Sequence, residues 1–179
     1  MNFRRLMVAL FTFVVMCAAP SAESKGSHPP EQSAFSDEDD VVKNPVPVPR
    51  GVLDILRTDE MVRNRLEDEN IPGEKIPLSW FSASTIHLSN SREADLVVMA
   101  RGPLAGGNVV TFWVFRATAR GHVLVLTAPA HNLIVRKGSW KGYRDIELAS
   151  MTAVEVSTVL CRFDGERYVG YKTKSELIR

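Results

Sequence analysis

The sequence predicts a mostly β, α+β fold, in which one packed N-terminal helix precedes an antiparallel meander of about eight strands. Two observations support this prediction. After Pro77 the chain divides into short runs of β-branched and aromatic residues separated by Gly, Asn and Pro, which is typical of antiparallel strands. Before Pro77 the apolar residues recur at helical spacing instead. Such a meander closes as a sandwich, a small barrel or propeller-like sheets.

Residues 1–22 have the pattern of a secretory signal peptide. Arg4 and Arg5 precede an apolar run that extends to Ala18, and small residues follow as far as Ala22. The run is roughly 13 residues long, shorter than the ~20 that span a bilayer, so we expect cleavage after Ala22 rather than retention as an anchor. The expected location is therefore secreted or periplasmic, with no integral membrane span after cleavage.

The two cysteines bear on lipid attachment and on disulfide formation. Cys17 raises lipid attachment as an alternative, but the bulky Val15 and Met16 before it do not suit such a site. Cleavage after Ala22 would leave Cys161 alone, so no intramolecular disulfide is expected. The sequence leaves open whether Cys161 is free or pairs between chains.

The composition of the chain limits the classes of partner that it can bind and divides it into two parts. The net charge of the 179-residue chain is only +1, which argues against binding nucleic acid through wholesale charge. Residues 23–49 are rich in Ser, Pro and acidic residues, and we expect them to form a disordered acidic and Pro-rich tether. The remaining residues, 50–179, are expected to form a single globular β-rich domain.

A helix is predicted at about 52–69. Charged residues occupy one face of this segment, and a break near Thr58 is indicated because Asp59 could cap a second helical turn. Its apolar residues repeat every three or four positions: Val52, Ile55, Leu56, Val62 and Leu66.

The predicted strands follow in order at 84–88, 96–101, 109–117, 122–128, 132–137, 144–150, 154–164 and 167–172. Runs 112–115 and 123–126 are continuously apolar, so we expect both in central strands that are buried on both faces. Arg120-Gly121 and Asp164-Gly165 suit tight hairpins. Lys137-Gly138 and Lys141-Gly142 are expected to frame a looser turn.

No catalytic motif is present. The chain lacks a Gly-x-Ser-x-Gly element for a nucleophile and a His-x-His pair for a metal. The Gly-rich loop 102–108 lacks the Lys-Ser/Thr of a phosphate-binding loop and leads into a strand. We therefore predict no catalytic residues, no metal and no cofactor.

Two loops are candidate binding surfaces. Segment 136–144 combines four cations with two aromatic residues, which suits contact with acidic groups, glycans or anionic lipid headgroups. Its candidate contact residues are Arg136, Lys137, Trp140, Lys141, Tyr143 and Arg144, with Trp140 as the leading anchor. Loop 102–108 contributes Gly106 and Asn108, because its size and its position between two predicted strands suit recognition.

Segment 86–98, a polar loop followed by the strand Asp-Leu-Val-Val, resembles the loop-strand element of FG-GAP and related repeat domains of secreted and surface proteins. In those repeats an acidic loop supplies oxygen ligands to calcium. Here His87, Ser89 and Ser91 take ligand positions, Arg92 takes the glycine, and Asp95 alone keeps the expected residue. A degenerate calcium loop at Asp95 is the only metal candidate that this resemblance implies.

The order of segments also resembles a group of uncharacterised secreted bacterial proteins. The resemblance covers most of residues 50–172, including Phe-Trp-Val-Phe-Arg at 112–116 and Arg-Phe-Asp-Gly-Glu-Arg-Tyr at 162–168. It implies a bacterial source and a shared fold, and it supplies no activity or catalytic residues.

These observations together lead us to expect a non-enzymatic binding or interaction domain that recognises a protein or envelope glycan. Two alternatives stay open. One is a periplasmic inhibitor or immunity protein that blocks a cell-wall hydrolase, and the other is a hydrolytic enzyme with an unrecognised site.

Overall fold

The computed structural model describes residues 31–39, 41–107 and 109–178 and contains two five-stranded antiparallel sheets and two α-helices. The elements are β1 (Ala34–Ser36), β2 (Pro45–Val46), α1 (Arg50–Leu56), α2 (Glu60–Asp68), β3 (Phe81–Ile86), β4 (Asp95–Ala100), β5 (Val110–Thr118), β6 (Gly121–Ala130), β7 (Asn132–Trp140), β8 (Tyr143–Met151), β9 (Glu155–Phe163) and β10 (Tyr168–Leu177). Sheet A has the strand order β1-β7-β8-β9-β10 and sheet B the order β2-β3-β4-β5-β6. The mostly β prediction is confirmed, and of the predicted architectures the sandwich fits.

Sheet B lies between the helices and sheet A. On one face, Trp113 of β5 donates a hydrogen bond from Nε1 to Asp59 at the start of α2, with a distance of 2.9 Å. On the other, the guanidinium of Arg116 lies 5.2 Å from the ring centre of Phe163 in sheet A. All six residues of β4, the middle strand, are buried. The hydrophobic core therefore lies on both faces of sheet B. The face of sheet A that points away from sheet B is the outer face of the fold.

The expectation that run 123–126 lies in a central strand is wrong. It belongs to β6, which is the edge strand of sheet B, and Val123 is exposed. A single residue, His131, connects β6 to β7, so the chain crosses directly from sheet B to sheet A at this point. Run 112–115 is buried as predicted, because β5 is flanked by β4 and β6.

The single helix predicted at 52–69 is divided into α1 and α2, with the break at the indicated place. The carboxylate of Asp59 accepts hydrogen bonds from the backbone amides of Met61, at 3.0 Å, and Val62, at 3.3 Å. These are amides that a helix start leaves without partners, so Asp59 starts a second helix.

The disordered tether expected over 23–49 does not extend through residues 31–39 and 41–49, which the structure describes. Strand β1 pairs with β7 and strand β2 pairs with β3, and Phe35 of β1 is only 1% exposed. Two short edge strands and a few buried apolar side chains order this segment although its composition is polar. Residues 23–30, like the predicted signal peptide at 1–22, lie outside the described residues.

The looser turn expected between β7 and β8 is a tight two-residue hairpin. Lys141 and Gly142 both have positive φ, 50° and 83°, as a type I′ turn requires. Lys137 and Gly138 lie within β7 instead, in a bulge where residues 136–138 oppose only Asp145 of β8. This bulge opens the outer surface of sheet A.

No helix within the described ranges is long and apolar enough to cross a membrane.

Candidate functional site

An open groove of about 750 Å³ lies on the face of sheet A that points away from sheet B. We call it the sheet groove. Strand alternation produces this face: Ile146 and Cys161 point into the core, whereas Asp145, Glu147 and Leu160 point outward. The charged residues that line it are Arg136, Lys137, Asp145, Glu147, Lys172 and Lys174.

Cations outnumber carboxylates in the sheet groove, and only some are paired. Arg136 lies 3.4 Å from Glu147, and Lys174 contacts Glu176. Lys137 and Lys172 form no salt bridge with any residue that the structure describes. The groove thus presents uncompensated positive charge to a ligand.

Asp145 is the one buried carboxylate of the groove. It is 7% exposed, and its Oδ2 lies 3.5 Å from Nε of Arg162, at the limit of a hydrogen bond. Its Oδ1 is buried without a hydrogen-bond partner among the described residues. Asp145 lies opposite the bulge at 136–138 and has no regular cross-strand neighbour on β7.

A second opening of about 340 Å³ adjoins the hairpin tip, and we call it the hairpin cleft. The guanidinium of Arg162 lies 4.9 Å from the ring centre of Trp140 and 3.8 Å from that of Tyr171. Both rings are exposed, Trp140 at 45% and Tyr171 at 61%. Arg162 thereby contacts two aromatic surfaces that stay accessible.

Tyr143 and Arg144, predicted as contact residues, are directed toward the protein. The ring centre of Tyr143 lies 4.4 Å from that of Phe163, and its hydroxyl accepts a hydrogen bond from Arg116. Arg144 donates to the carbonyls of Val135, at 3.0 Å, and Arg136, at 2.8 Å. The Arg144 donors are therefore used within the fold.

Arg144 also anchors the N-terminal segment. Its Nη1 lies 2.6 Å from Oε1 of Glu31, and Nδ1 of His87 lies 2.7 Å from Oε2. Partial burial raises the pKa of Glu31, but the hydrogen bonds with His87 and Arg144 outweigh it and hold the pKa below its ordinary value.

This shift predicts a pH-dependent contribution to stability. Because the folded-state pKa is depressed, Glu31 stabilises the fold above its unfolded pKa of about 4.3 and loses that effect as the pH falls through the folded value. We expect Glu31→Gln to be less stable than wild type near pH 6, and the difference to shrink toward pH 3. Urea unfolding at several pH values measures it; a difference independent of pH would contradict the assignment.

The Gly-rich loop lies against α2, away from the sheet groove. Gly106 borders an opening of about 440 Å³ between this loop and α2. A Cβ at position 106 would come within 2.7 Å of the carbonyl oxygen of Val109, so the loop requires glycine there. Asn108 lies outside the described residues.

Asp95 occupies a structural position. Its Oδ2 accepts from the amide of Leu88, at 2.7 Å, and its Oδ1 from that of Ala117, at 2.8 Å. His87 contacts Glu31, and the hydroxyls of Ser89 and Ser91 accept from backbone amides two residues on. Across the described ranges, no three His, Cys, Asp or Glu side chains are grouped so as to hold a metal ion.

Cys161 is buried on the core side of β9, and burial raises the pKa of its thiol. Its environment therefore disfavours the reactive thiolate.

The sequence did not predict the residues that β9 and β10 contribute to the sheet groove and the hairpin cleft. Arg162, Tyr171, Lys172 and Lys174 join the predicted Trp140 and Lys141 only because β8, β9 and β10 are consecutive neighbours. Tyr171 is the extra residue of a bulge between Gly170 and Lys172, which no local pattern indicates. The alternation of inward and outward side chains along residues 158–162 was the only feature of the sequence that indicated this surface.

Comparison of the chain with known protein families, curated proteins and solved structures gave no match. The resemblances to FG-GAP elements and to secreted bacterial proteins stay predictions.

Proposed function

We propose that this protein is an exported, non-enzymatic binding domain that recognises a macromolecule or envelope component through the outer surface of sheet A. The observation that carries the proposal is the pair of exposed rings, Trp140 and Tyr171, held on either side of Arg162. Exposed aromatic residues beside cations are the residue types that dominate binding energies at interfaces.

The location of the surface supports the same function. Sheet B is covered by the helices on one face and by sheet A on the other, whereas the sheet groove and the hairpin cleft share the outermost face. The predicted signal peptide supports export. An envelope component is then the class of partner that this face would meet.

Trp140→Ala combined with Lys141→Ala tests the proposal. We expect the double variant to bind its partner at least tenfold more weakly, because an exposed aromatic anchor typically contributes about 2 kcal/mol at an interface. The full chain is used to capture partners from envelope and secreted fractions, and the affinity for the purified partner is then measured for both forms.

Lys75→Ala combined with Leu78→Ala is the matched control. It also removes one lysine and one exposed apolar side chain, but in the turn before β3. Equal affinity of the Trp140/Lys141 variant and wild type, or an equal loss in the control, contradicts the proposed surface. If the partner is a cell-wall hydrolase and loses activity on binding, the protein is an inhibitor.

A further inference from the structure

We propose that the sheet groove binds an acidic glycan, a polysaccharide that carries both carboxylate groups and free hydroxyls. In this assignment the groove cations pair with the sugar carboxylates, and Oδ1 of Asp145 accepts a hydrogen bond from a sugar hydroxyl. The inference rests on the proposed function and names the ligand class of the same surface.

The cations of the groove favour an anionic ligand. Lys137 lies at the β7 side of the groove and Lys172 at the β10 side, and neither has a carboxylate partner among the described residues. Lys174, also at the β10 side, is paired only with the exposed Glu176. A ligand lying across β8 and β9 therefore meets positive charge on both sides.

Asp145 requires a hydrogen-bond donor as well. A buried oxygen without a hydrogen-bond partner destabilises the protein. A ligand hydroxyl that donates a hydrogen bond to this carboxylate would remove that destabilisation. A ligand that offers only anions, such as polyphosphate, would supply no donor and would be repelled by Asp145. Together these two features favour a ligand that carries anions and hydroxyls side by side.

The position of the groove favours a glycan over an acidic peptide. The groove lies on a sheet face, and along its floor the backbone amides and carbonyls of β8 and β9 already pair with neighbouring strands. An extended peptide pairs with a sheet at its edge, whereas a face offers side chains only. Sugar hydroxyls and carboxylates are the complements of those side chains, and Trp140 and Tyr171 continue the surface with rings suited to the apolar face of a sugar.

Access to Asp145 is coupled to binding. Its Oδ1 is covered in the structure, and the long side chains of Arg136, Lys172 and Lys174 line the same groove. In this proposal, a ligand whose carboxylates draw these side chains aside would uncover the groove floor, and the hydroxyl contact would form in the same event.

Wild-type binding to four purified polymers is the first test. The full chain is titrated with polygalacturonate, with dextran as a neutral glycan, with poly-L-glutamate as an acidic peptide and with polyphosphate. We expect polygalacturonate to bind at least tenfold more tightly than each of the others at the same ionic strength. Equal binding of polygalacturonate and poly-L-glutamate, or preference for polyphosphate, overturns the inference.

The second test compares Asp145→Ala with Glu147→Ala, which remove the same charge from the same groove. If the ligand is held by charge alone, both variants bind polygalacturonate more tightly than wild type. We expect opposite signs: Glu147→Ala binds severalfold more tightly, because Arg136 is released, and Asp145→Ala binds about tenfold more weakly. Tighter binding by both variants overturns the role of Asp145.

Lys172→Gln combined with Lys174→Gln keeps the inference testable if Asp145→Ala fails to fold, because both lysines are exposed on the edge strand β10. This variant should bind polygalacturonate more weakly, with a shallower salt dependence; an unchanged affinity overturns the inference. A captured partner lost in the Trp140/Lys141 variant, without polygalacturonate binding, leaves the proposed function standing and rejects the glycan. Absence of both rejects the function itself.

Discussion

Replacing Asp95 with alanine is expected to lower the free energy of unfolding by about 4 kcal/mol. The side chain is 3% exposed and each of its oxygens accepts one backbone amide, from Leu88 and from Ala117. Removing the carboxylate leaves two amide donors without partners, and each buried unpaired donor costs about 1–3 kcal/mol. The loss is large because one side chain joins the loop after β3, the start of β4 and the end of β5.

Urea unfolding measures this loss, with Asp68→Ala as the matched control. Asp68 is an exposed aspartate in the last turn of α2, so its replacement should change stability by no more than about 0.5 kcal/mol. A loss below about 1 kcal/mol for Asp95→Ala would show that water replaces the carboxylate. Calcium should not raise the stability of the wild type, because both Asp95 oxygens already accept backbone hydrogen bonds.

Replacing Asp59 with alanine is expected to cost about 3 kcal/mol. Asp59 has two tasks: its Oδ1 caps α2, and its Oδ2 accepts the indole hydrogen bond of Trp113. Loss of the cap costs about 1 kcal/mol. The indole N–H lies on a residue that is 0% exposed, so leaving it unpaired adds about 2 kcal/mol.

A double-mutant cycle with Trp113→Phe separates the two tasks. Phenylalanine has no N–H, so in the Trp113→Phe background Asp59→Ala should cost only the cap, about 1 kcal/mol. Asp54→Ala is the control, because Asp54 is exposed and, among the described residues, forms its one salt bridge with Arg57 directly after α1. Equal costs of Asp59→Ala in both backgrounds would contradict a role for the indole hydrogen bond.

The candidate site was predictable in part. Trp140 and Lys141 stand out in the sequence as an aromatic residue and a cation beside a glycine turn, and the structure leaves both on the surface. Tyr143 and Arg144 are residues of the same types but contact the protein itself: Tyr143 packs against Phe163, and Arg144 donates to backbone carbonyls of β7. Asp145 gives no local signal of its missing hydrogen bond, since that depends on where β7 departs from its neighbour.

The sequence by itself determined the elements: the helical stripe broken at Asp59, eight strands in their chain order, and the buried run at 112–115. These are local properties, because side-chain spacing and turn residues act within a few positions of each other. Only the tertiary structure decided that β6 is an edge strand, that β1 and β2 join the two sheets, and that Arg162 lies between Trp140 and Tyr171. Each of these depends on which strands become neighbours, and strand pairing is fixed by burial summed over the whole core rather than by any one segment.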